Sequence, residues 1–202
     1  MSLTLLIATR NRHKLREFQT MLAADRVAVI SLDDVSFTEE IKEDGLTFAD
    51  NARKKACLTA KATGQICLAD DSGLVVPALN GQPGVYSARF AGEKATDNDN
   101  NKKLLSLLKG CNGNTRYGEF VSVIAISDPL GNVQSAEGVC SGLIAYEPAG
   151  YNGFGYDPLF IPVGYTCTFA QLTEDEKNRI SHRSQALKKA RELLKKYDVE
   201  NR

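Results

Sequence analysis

Two adjacent aspartates, Asp70 and Asp71, are the residues of this sequence that most directly suggest chemistry. They follow the short apolar run at residues 66–69, which predicts a buried strand, and they precede Ser72 and a glycine. Because successive strand residues point to opposite faces, the two carboxylates are expected to diverge, one towards a pocket and one towards the backbone. Taken alone, these residues also fit a simple turn that closes a strand, since they are common turn residues. Motifs this short recur by chance, so the turn is the favoured interpretation until other parts of the chain are considered.

A second polar segment, residues 9–14, follows an apolar run at residues 3–8 that predicts a central strand. The helix expected next has an apolar face formed by Leu15, Phe18 and Leu22. A helix that begins after a strand binds anions, because its first backbone N–H groups are unpaired and its dipole favours negative charge. Thr9 and Asn11 can bind phosphate oxygens there, and Lys14 adds a positive charge. The alternative is a capped helix with a solvated basic face.

An acidic loop at residues 39–44 supplies candidate metal ligands. The next helix is expected to begin after Thr47, with Asp50 completing a capping box, and to extend to about residue 63. Mg²⁺ commonly binds only one or two protein carboxylates, together with water and substrate phosphates. Glu43 and Asp71 are therefore a candidate pair for a hard divalent cation, although a lone loop glutamate is usually only solvated.

Glycines flank Phe154 in the loop at residues 147–158, and they allow the backbone to turn sharply and present the ring. An exposed ring on such a loop suits stacking on a planar base, whereas packing onto the core is an equally good interpretation. A capping box at Thr173 and Glu176 predicts a short helix that carries Lys177. The last helix is expected to begin at residues 181–183, with a basic face that is solvated and does not bind nucleic acid.

The composition is that of a globular protein with no strong overall charge. Of its 202 residues 43% are apolar, and 25 basic residues balance 25 acidic ones, so no positive field attracts nucleic acid or a membrane surface. Five scattered cysteines and two distant histidines disfavour a zinc site or a disulfide framework, and they predict a reducing, cytoplasmic setting. No secretory signal or membrane span is expected at the amino-terminal end. Neither a Walker-type nor a dinucleotide-binding glycine motif stands at a strand–helix junction.

Strands near both ends and in the middle, interleaved with helices, predict an α/β fold with a mixed sheet flanked by helices. We expect a single domain over residues 1–202, since the chain contains no linker or internal repeat. A hairpin at residues 117–141 can form a smaller lobe, which leaves a cleft between the lobes.

Several motifs occur in one order along the chain, and together they are more specific than any one of them. They are residues 9–14, 43–56, 69–74, 83–89, 154–157 and 181–183. This ordered set closely resembles the Ham1/RdgB family of inosine/xanthosine triphosphate pyrophosphatases over nearly the whole chain. The resemblance implies an elongated α/β protein with two lobes and the active cleft between them. It also implies hydrolysis of non-canonical purine nucleoside triphosphates (ITP, dITP and XTP) to the monophosphate and pyrophosphate, with Mg²⁺, by a homodimer.

The resemblance also implies residue roles. Asp71 would be the proton acceptor and a metal ligand, Glu43 the second metal ligand, and Ser72 a substrate contact. The phosphates would be held by Thr9, Arg10, Asn11, Arg12, His13 and Lys14, with Lys55 a further candidate. The nucleoside would be surrounded by Phe154, Gly155, Tyr156, Asp157, Lys177, His182 and Arg183. Because Lys177 and Arg183 only donate hydrogen bonds and His182 can donate, this end of the site is expected to favour 6-oxo purines over adenine.

Two other functions remain open from the sequence. A regulatory module could bind the nucleotide without hydrolysing it, although binding alone does not need both Glu43 and Asp71. A phosphatase of another nucleotide class would instead release orthophosphate.

Overall fold

The computed structural model describes residues 3–25 and 27–200. The strands within these residues are β1 (Leu3–Ile7), β2 (Val27–Ser31), β3 (Cys67–Val75), β4 (Tyr117–Ser127), β5 (Val133–Ile144) and β6 (Phe160–Pro162). The α-helices are α1 (Arg12–Leu22), α2 (Phe48–Thr63), α3 (Asp97–Leu107), α4 (Glu174–Ile180) and α5 (His182–Glu200). Among the described residues, no helix has both the length and the apolar character needed to cross a bilayer.

The strands form a mixed sheet in the order β2-β1-β3-β4-β5-β6. β1 pairs in parallel with β2 and with β3, whereas β5 and β6 are antiparallel. In the β1–β3 register Ile7 lies opposite Leu68. The carboxyl end of β1 and residues Asp70 and Asp71 of β3 therefore lie at the same edge of the sheet, where α/β proteins commonly bind ligands.

β3 is longer than the sequence pattern predicts, and the expectation that Asp70 and Asp71 follow the strand is wrong: they lie within it. The second half of β3 is anchored by Ser87, whose hydroxyl accepts a hydrogen bond from the Leu74 N–H (2.9 Å). A Cβ on Gly73 would lie 2.3 Å from Ser87 Oγ, so only glycine permits this close approach. Because residue 73 is glycine, β3 can pass close to Ser87 and continue to Val75.

The chain divides into two compact units. Unit 1 contains the described residues up to Asp71, Ser122–Gly138 and the described residues from Arg183 onwards, and unit 2 contains Ser72–Val121 and Val139–His182. Unit 1 has two apolar clusters: one includes Leu5, Phe18 and Leu187, and the other is rich in alanines of α2. The core of unit 2 is built largely from Leu104, Phe120, Phe160 and Phe169. The expected single domain and the cleft between lobes stay predictions.

Candidate active site

Asp70 is nearly fully buried, and charged or hydroxyl groups surround its carboxylate. Lys14 Nζ lies 2.8 Å and the Arg183 guanidinium 3.3 Å from Oδ2, while the Ser122 hydroxyl donates to Oδ1 (2.5 Å). Burial alone would raise the pKa of Asp70, but Lys14 and Arg183 outweigh it and hold the pKa well below its usual value. Asp70 therefore stays ionised and fixes the positions of two cations.

Asp71 has different surroundings, as expected from the alternation of side chains along a strand. It is 6% exposed, and its Oδ2 accepts a hydrogen bond from Asn51 Nδ2 (2.9 Å). Burial raises the pKa of Asp71 and Glu43 raises it further, whereas Lys14 and Lys55 act in the opposite direction. Its net shift is upward, which makes Asp71 a better proton acceptor than an ordinary aspartate.

Glu43 lies on the acidic loop and forms an ion pair with Lys55 of α2. Lys55 Nζ also donates to the backbone carbonyl of Asp70 (2.9 Å), so one ammonium group connects the loop to β3. The neighbouring acid Asp44 pairs with Lys54 (2.6 Å) and is half exposed. The choice of Glu43 over Asp44 as the acid nearest Asp71 therefore has electrostatic support, since Glu43 raises the pKa of Asp71.

The first turn of α1 is partly capped by its own chain. Asn11 Oδ1 accepts hydrogen bonds from the backbone N–H groups of His13 (2.9 Å) and Lys14 (3.1 Å). The expectation that these first N–H groups are unpaired is therefore wrong, because Asn11 acts as the N-cap residue. Arg10 donates hydrogen bonds to the backbone carbonyls of Phe37 and of Glu39, the first residue of the acidic loop. Arg12 and His13 are exposed at the same helix start.

Within the described residues, no group of three or more His, Cys, Asp or Glu side chains could hold a metal ion. A two-carboxylate site is nevertheless compatible with Mg²⁺, which uses few protein ligands and retains several waters. Glu43 and Asp71 repel each other electrostatically, and a cation shared by them would remove that repulsion. The hard oxygen donors that are present therefore fit such an ion.

In unit 2, residues 153–157 form a turn that presents Phe154. The Asp157 carboxylate accepts from the Phe154 N–H (2.9 Å) and from Lys177 Nζ (2.6 Å), and Lys177 lies 4.8 Å from the centre of the Phe154 ring. Gly153 has φ +75°, and a Cβ there would approach Asp157 Oδ2 to 2.0 Å. The turn therefore requires glycine, and Asp157 sets the positions of both the ring and the ammonium group.

α3 binds both backbone polar groups of Gly155 in this turn. Asp97 Oδ2 accepts a hydrogen bond from the Gly155 N–H (2.7 Å), and Asn101 Nδ2 donates to the Gly155 carbonyl (2.9 Å). The Tyr156 hydroxyl donates to the carbonyl of Ser87 (2.9 Å), and burial raises the pKa of Tyr156, so it stays protonated. Tyr156 is thus a structural anchor of the turn.

His182 is 4% exposed and stacks on Phe120, with ring centres 4.7 Å apart and planes 9° from parallel. Phe120 also contacts Phe160 and Phe169. The His182 ring is therefore fixed in orientation by the core of unit 2.

Comparisons with known proteins show the family of this chain. The model of the Ham1 family matches residues 5–193. The chain belongs to the Ham1 family. A dITP/XTP pyrophosphatase of Desulforamulus reducens is 52% identical over 190 residues, which cover 94% of each chain. A dITP/XTP pyrophosphatase of Bacillus subtilis is 49% identical over 189 residues, covering 94% of this chain and 96% of the relative.

Solved structures show the same Ham1 fold. A HAM1 protein from Coxiella burnetii superposes with a TM-score of 0.86 at 41% identity, covering 96% of this chain and 99% of that one. The Ham1 protein of Staphylococcus aureus gives a TM-score of 0.84 at 39% identity with the same coverage. The predicted α/β fold with a mixed sheet flanked by helices is confirmed.

Arg183 is the residue of this Ham1 chain whose surroundings differ most from those expected. It is 1% exposed, and its guanidinium binds the carboxylates of Glu17 and Asp70 in unit 1. Its expected contact with the nucleoside stays a prediction, as do the other substrate contacts. Ser72, the expected substrate contact that follows Asp71, is the first residue of unit 2.

Sequence reasoning did not assign a role to four residues that the structure brings into these clusters. They are Glu17, Asn51, Asp97 and Asn101. For Glu17 the helical period gave no signal, because this residue lies off the face formed by Leu15, Phe18 and Leu22, although the structure buries it. For Asp97 and Asn101 no local pattern indicates a partner more than fifty residues away.

Proposed function

We propose that this Ham1 protein hydrolyses non-canonical purine nucleoside triphosphates, namely ITP, dITP and XTP, to the monophosphate and pyrophosphate. Such an activity removes deaminated purines from the nucleotide pool. The observation that carries the proposal is the pair Glu43 and Asp71, two buried or half-buried carboxylates tied to one helix and electrostatically coupled. The names of the similar D. reducens and B. subtilis proteins support the substrate class.

Asp71 is the proposed general base. It accepts a proton from water as the water oxygen forms a new bond to phosphorus, and the phosphoanhydride bond between the monophosphate and pyrophosphate parts of the substrate breaks. The electron pair of the broken bond stays on the departing phosphate group, and the products are the monophosphate and pyrophosphate. The upward pKa shift of Asp71 suits a group that must take up this proton near neutral pH.

Glu43 and Asp71 are the residues that would hold a divalent cation, and we propose that the cation is Mg²⁺. When bound, Mg²⁺ supplies charge neutralisation at the phosphate oxygens. Lys14 and Lys55 are the protein's own cations at this place, each 14% exposed at the side chain. Lys55 and the segment Thr9–Lys14, which includes Lys14, would bind the phosphate chain.

We propose that Phe154 stacks on the purine and that Lys177 and His182 donate hydrogen bonds to it. Lys177 is held by Asp157 and His182 by stacking on Phe120, so both donors are fixed before substrate arrives. A 6-oxo group accepts from such donors, whereas the adenine amine presents another donor and leaves buried groups unpaired, at a cost of about 1–3 kcal/mol each.

The decisive experiment is incubation of the purified protein with Mg²⁺ and a panel of triphosphates: ITP, dITP, XTP, GTP and ATP. We expect monophosphate and pyrophosphate from the first three, with much lower kcat/KM for ATP. Orthophosphate as the product would identify a different phosphatase. Tight binding of ITP without any turnover would identify a regulatory nucleotide sensor.

A second experiment tests the metal. Excess EDTA should abolish turnover of ITP, and added Mg²⁺ should restore it. Unchanged turnover in EDTA would exclude the metal from the reaction.

We further propose a homodimer that works in the cytoplasm. The five cysteines are all free in the structure, which is compatible with a reducing compartment. Several large apolar side chains are exposed, among them Tyr151 (104%) and Val163 (72%), and these are of the kind that a subunit interface would cover. Light scattering coupled to size-exclusion chromatography should give twice the 22.0 kDa chain mass.

A further inference from the structure

Asn51 of α2 connects the two carboxylates of the proposed metal site, although it carries neither charge nor a direct role in the chemistry. Its side chain is buried (2% exposed). Oδ1 accepts a hydrogen bond from the Gly45 N–H (2.8 Å), and Nδ2 donates to Asp71 Oδ2 (2.9 Å). Because an N–H must face the oxygen and a carboxylate must face the nitrogen, this pair of partners permits only one orientation of the amide.

The Gly45 contact controls the loop that carries Glu43, which lies only two residues earlier. One helical turn after Asn51, Lys55 binds the Glu43 carboxylate and the backbone carbonyl of Asp70. Residues four apart lie on the same face of a helix. This face of α2 therefore holds both the acidic loop and β3, through two independent side chains.

The chemical character of Asn51 suits this position. Without a cation, Glu43 and Asp71 repel each other, so their separation must be held by other groups. A lysine or arginine at position 51 would neutralise Asp71 and compete with a metal ion, and an aspartate would repel it. An amide binds both sides and leaves the negative charge of Asp71 available to a cation.

Gly45 allows the loop to come close enough for this contact. A Cβ at Gly45 would lie 2.7 Å from Asn51 Oδ1 and 2.7 Å from the Cβ of Asp50. Any larger residue at position 45 must therefore push the loop away from the Asn51 amide.

We propose that Asn51 is a positioning residue that organises the cation site, because it fixes the acidic loop and Asp71 at a set separation before a cation binds. This inference rests on the proposed function insofar as Glu43 and Asp71 are taken as the metal ligands. Groups that orient metal ligands from the outer shell typically account for about 10–100-fold in metal affinity.

The test measures binding of Mn²⁺, as a paramagnetic substitute for Mg²⁺, to the protein without nucleotide, by electron paramagnetic resonance. Asn51→Ala should weaken the Mn²⁺ affinity about 10–100-fold. Gly45→Ala keeps the Asn51 amide but displaces the loop, and it should weaken the affinity in the same direction. The Mg²⁺ concentration that gives half-maximal ITP turnover should rise in parallel for both variants.

Asn100 of α3 provides a matched control. It too is 2% exposed and uses both ends of its amide, accepting from the Ala91 N–H (2.8 Å) and donating to the Ala88 carbonyl (3.1 Å). Asn100→Ala should lower the melting temperature as Asn51→Ala does, but leave the Mn²⁺ affinity unchanged. If wild-type protein binds Mn²⁺ and Asn51→Ala binds it equally well, or Asn100→Ala loses as much affinity, the positioning role is overturned. If wild-type protein binds no Mn²⁺, the proposed metal site itself fails.

Discussion

Asp70 and Asp71 are neighbours in sequence with opposite electrostatic environments. Asp70 faces Lys14 and Arg183, which hold its pKa low, whereas burial and Glu43 raise the pKa of Asp71. A pair of carboxylates whose pKa values are pushed apart commonly divides structural and catalytic roles. These environments support the proposal that Asp71 transfers the proton, while Asp70 holds Lys14 and Arg183 in place.

Asp71→Asn keeps the shape of the side chain and removes its basicity. Loss of a general base typically lowers the rate about 10²–10⁴-fold, and kcat for ITP should fall by a factor in this range or by more. The melting temperature should change little. Steady-state kinetics and thermal unfolding of the same preparation measure the two effects. A variant that retains more than a tenth of wild-type kcat would remove Asp71 from the role of base.

Asp70→Asn should act on stability in a pH-dependent way. The pKa of Asp70 is lowered in the folded state, so its stabilisation is complete above the unfolded-state value of about 3.9 and is lost as the pH falls below it. At pH 7 the free energy of unfolding of the variant should be about 3–5 kcal/mol lower than that of the wild type. The reason is that Lys14 and Arg183 stay in a largely buried site without the carboxylate that neutralises them.

Urea unfolding at a series of pH values tests this expectation for Asp70. The difference in unfolding free energy between wild type and Asp70→Asn should narrow as the pH decreases from about 4. A difference that stays constant down to the acid limit would mean that the charge of Asp70 does not contribute to stability.

At the scale of elements, α3 is expected to affect substrate binding through the backbone of Gly155. Asn101→Ala removes one of the two hydrogen bonds that α3 makes to the backbone of this residue, worth about 1 kcal/mol. The Phe154 ring is then less well ordered, and KM for ITP and XTP should rise about fivefold, with a smaller change in kcat.

Lys102→Ala, an exposed substitution on the same helix, is the matched control for Asn101→Ala. It should change neither KM nor kcat, whereas Asp97→Ala should reproduce the KM effect because it removes the other hydrogen bond to Gly155. If Asn101→Ala lowered kcat by the factor expected for KM and did not raise KM, an effect through substrate binding would be contradicted.

Local patterns predicted the elements well where the signal is short-range. The capping boxes at Thr47 and Thr173 both start helices, and the strand predicted from the apolar run at residues 3–8 is β1, which ends one residue earlier than expected. Asp70 and Asp71 were recognised as special, but their contrasting charge environments depend on Arg183, which is 113 residues from Asp70 in sequence. Sequence periodicity gives no information about contacts between residues so far apart in sequence, and the same applies to the Asn101–Gly155 contact.

At the scale of the whole molecule, the core of unit 1 includes α5 as well as the first strand and helix. Leu187 is fully buried in this core. Leu187→Ala should lower the unfolding free energy by about 2–5 kcal/mol, because it leaves a cavity among side chains that cannot collapse fully.

Leu130→Ala removes the same atoms from a side chain in unit 1 that is 85% exposed, and it should change the unfolding free energy by less than about 0.5 kcal/mol. Chemical denaturation of both variants beside wild type provides the comparison. Equal losses would show that burial in this core is not what Leu187 contributes.

The order in which the chain is synthesised gives Arg183 a further significance. Unit 2 is complete once His182 has been made, but unit 1 still lacks α5 at that moment. A nascent chain of that length already contains Asp71, Glu43 and the Phe154 turn, yet Asp70 has no guanidinium beside it and the core around Phe18 has no Leu187. We therefore expect hydrolysis to begin only after α5 has left the ribosome, and we expect a chain interrupted at His182 to be inactive and to leave the apolar surface around Phe18 uncovered.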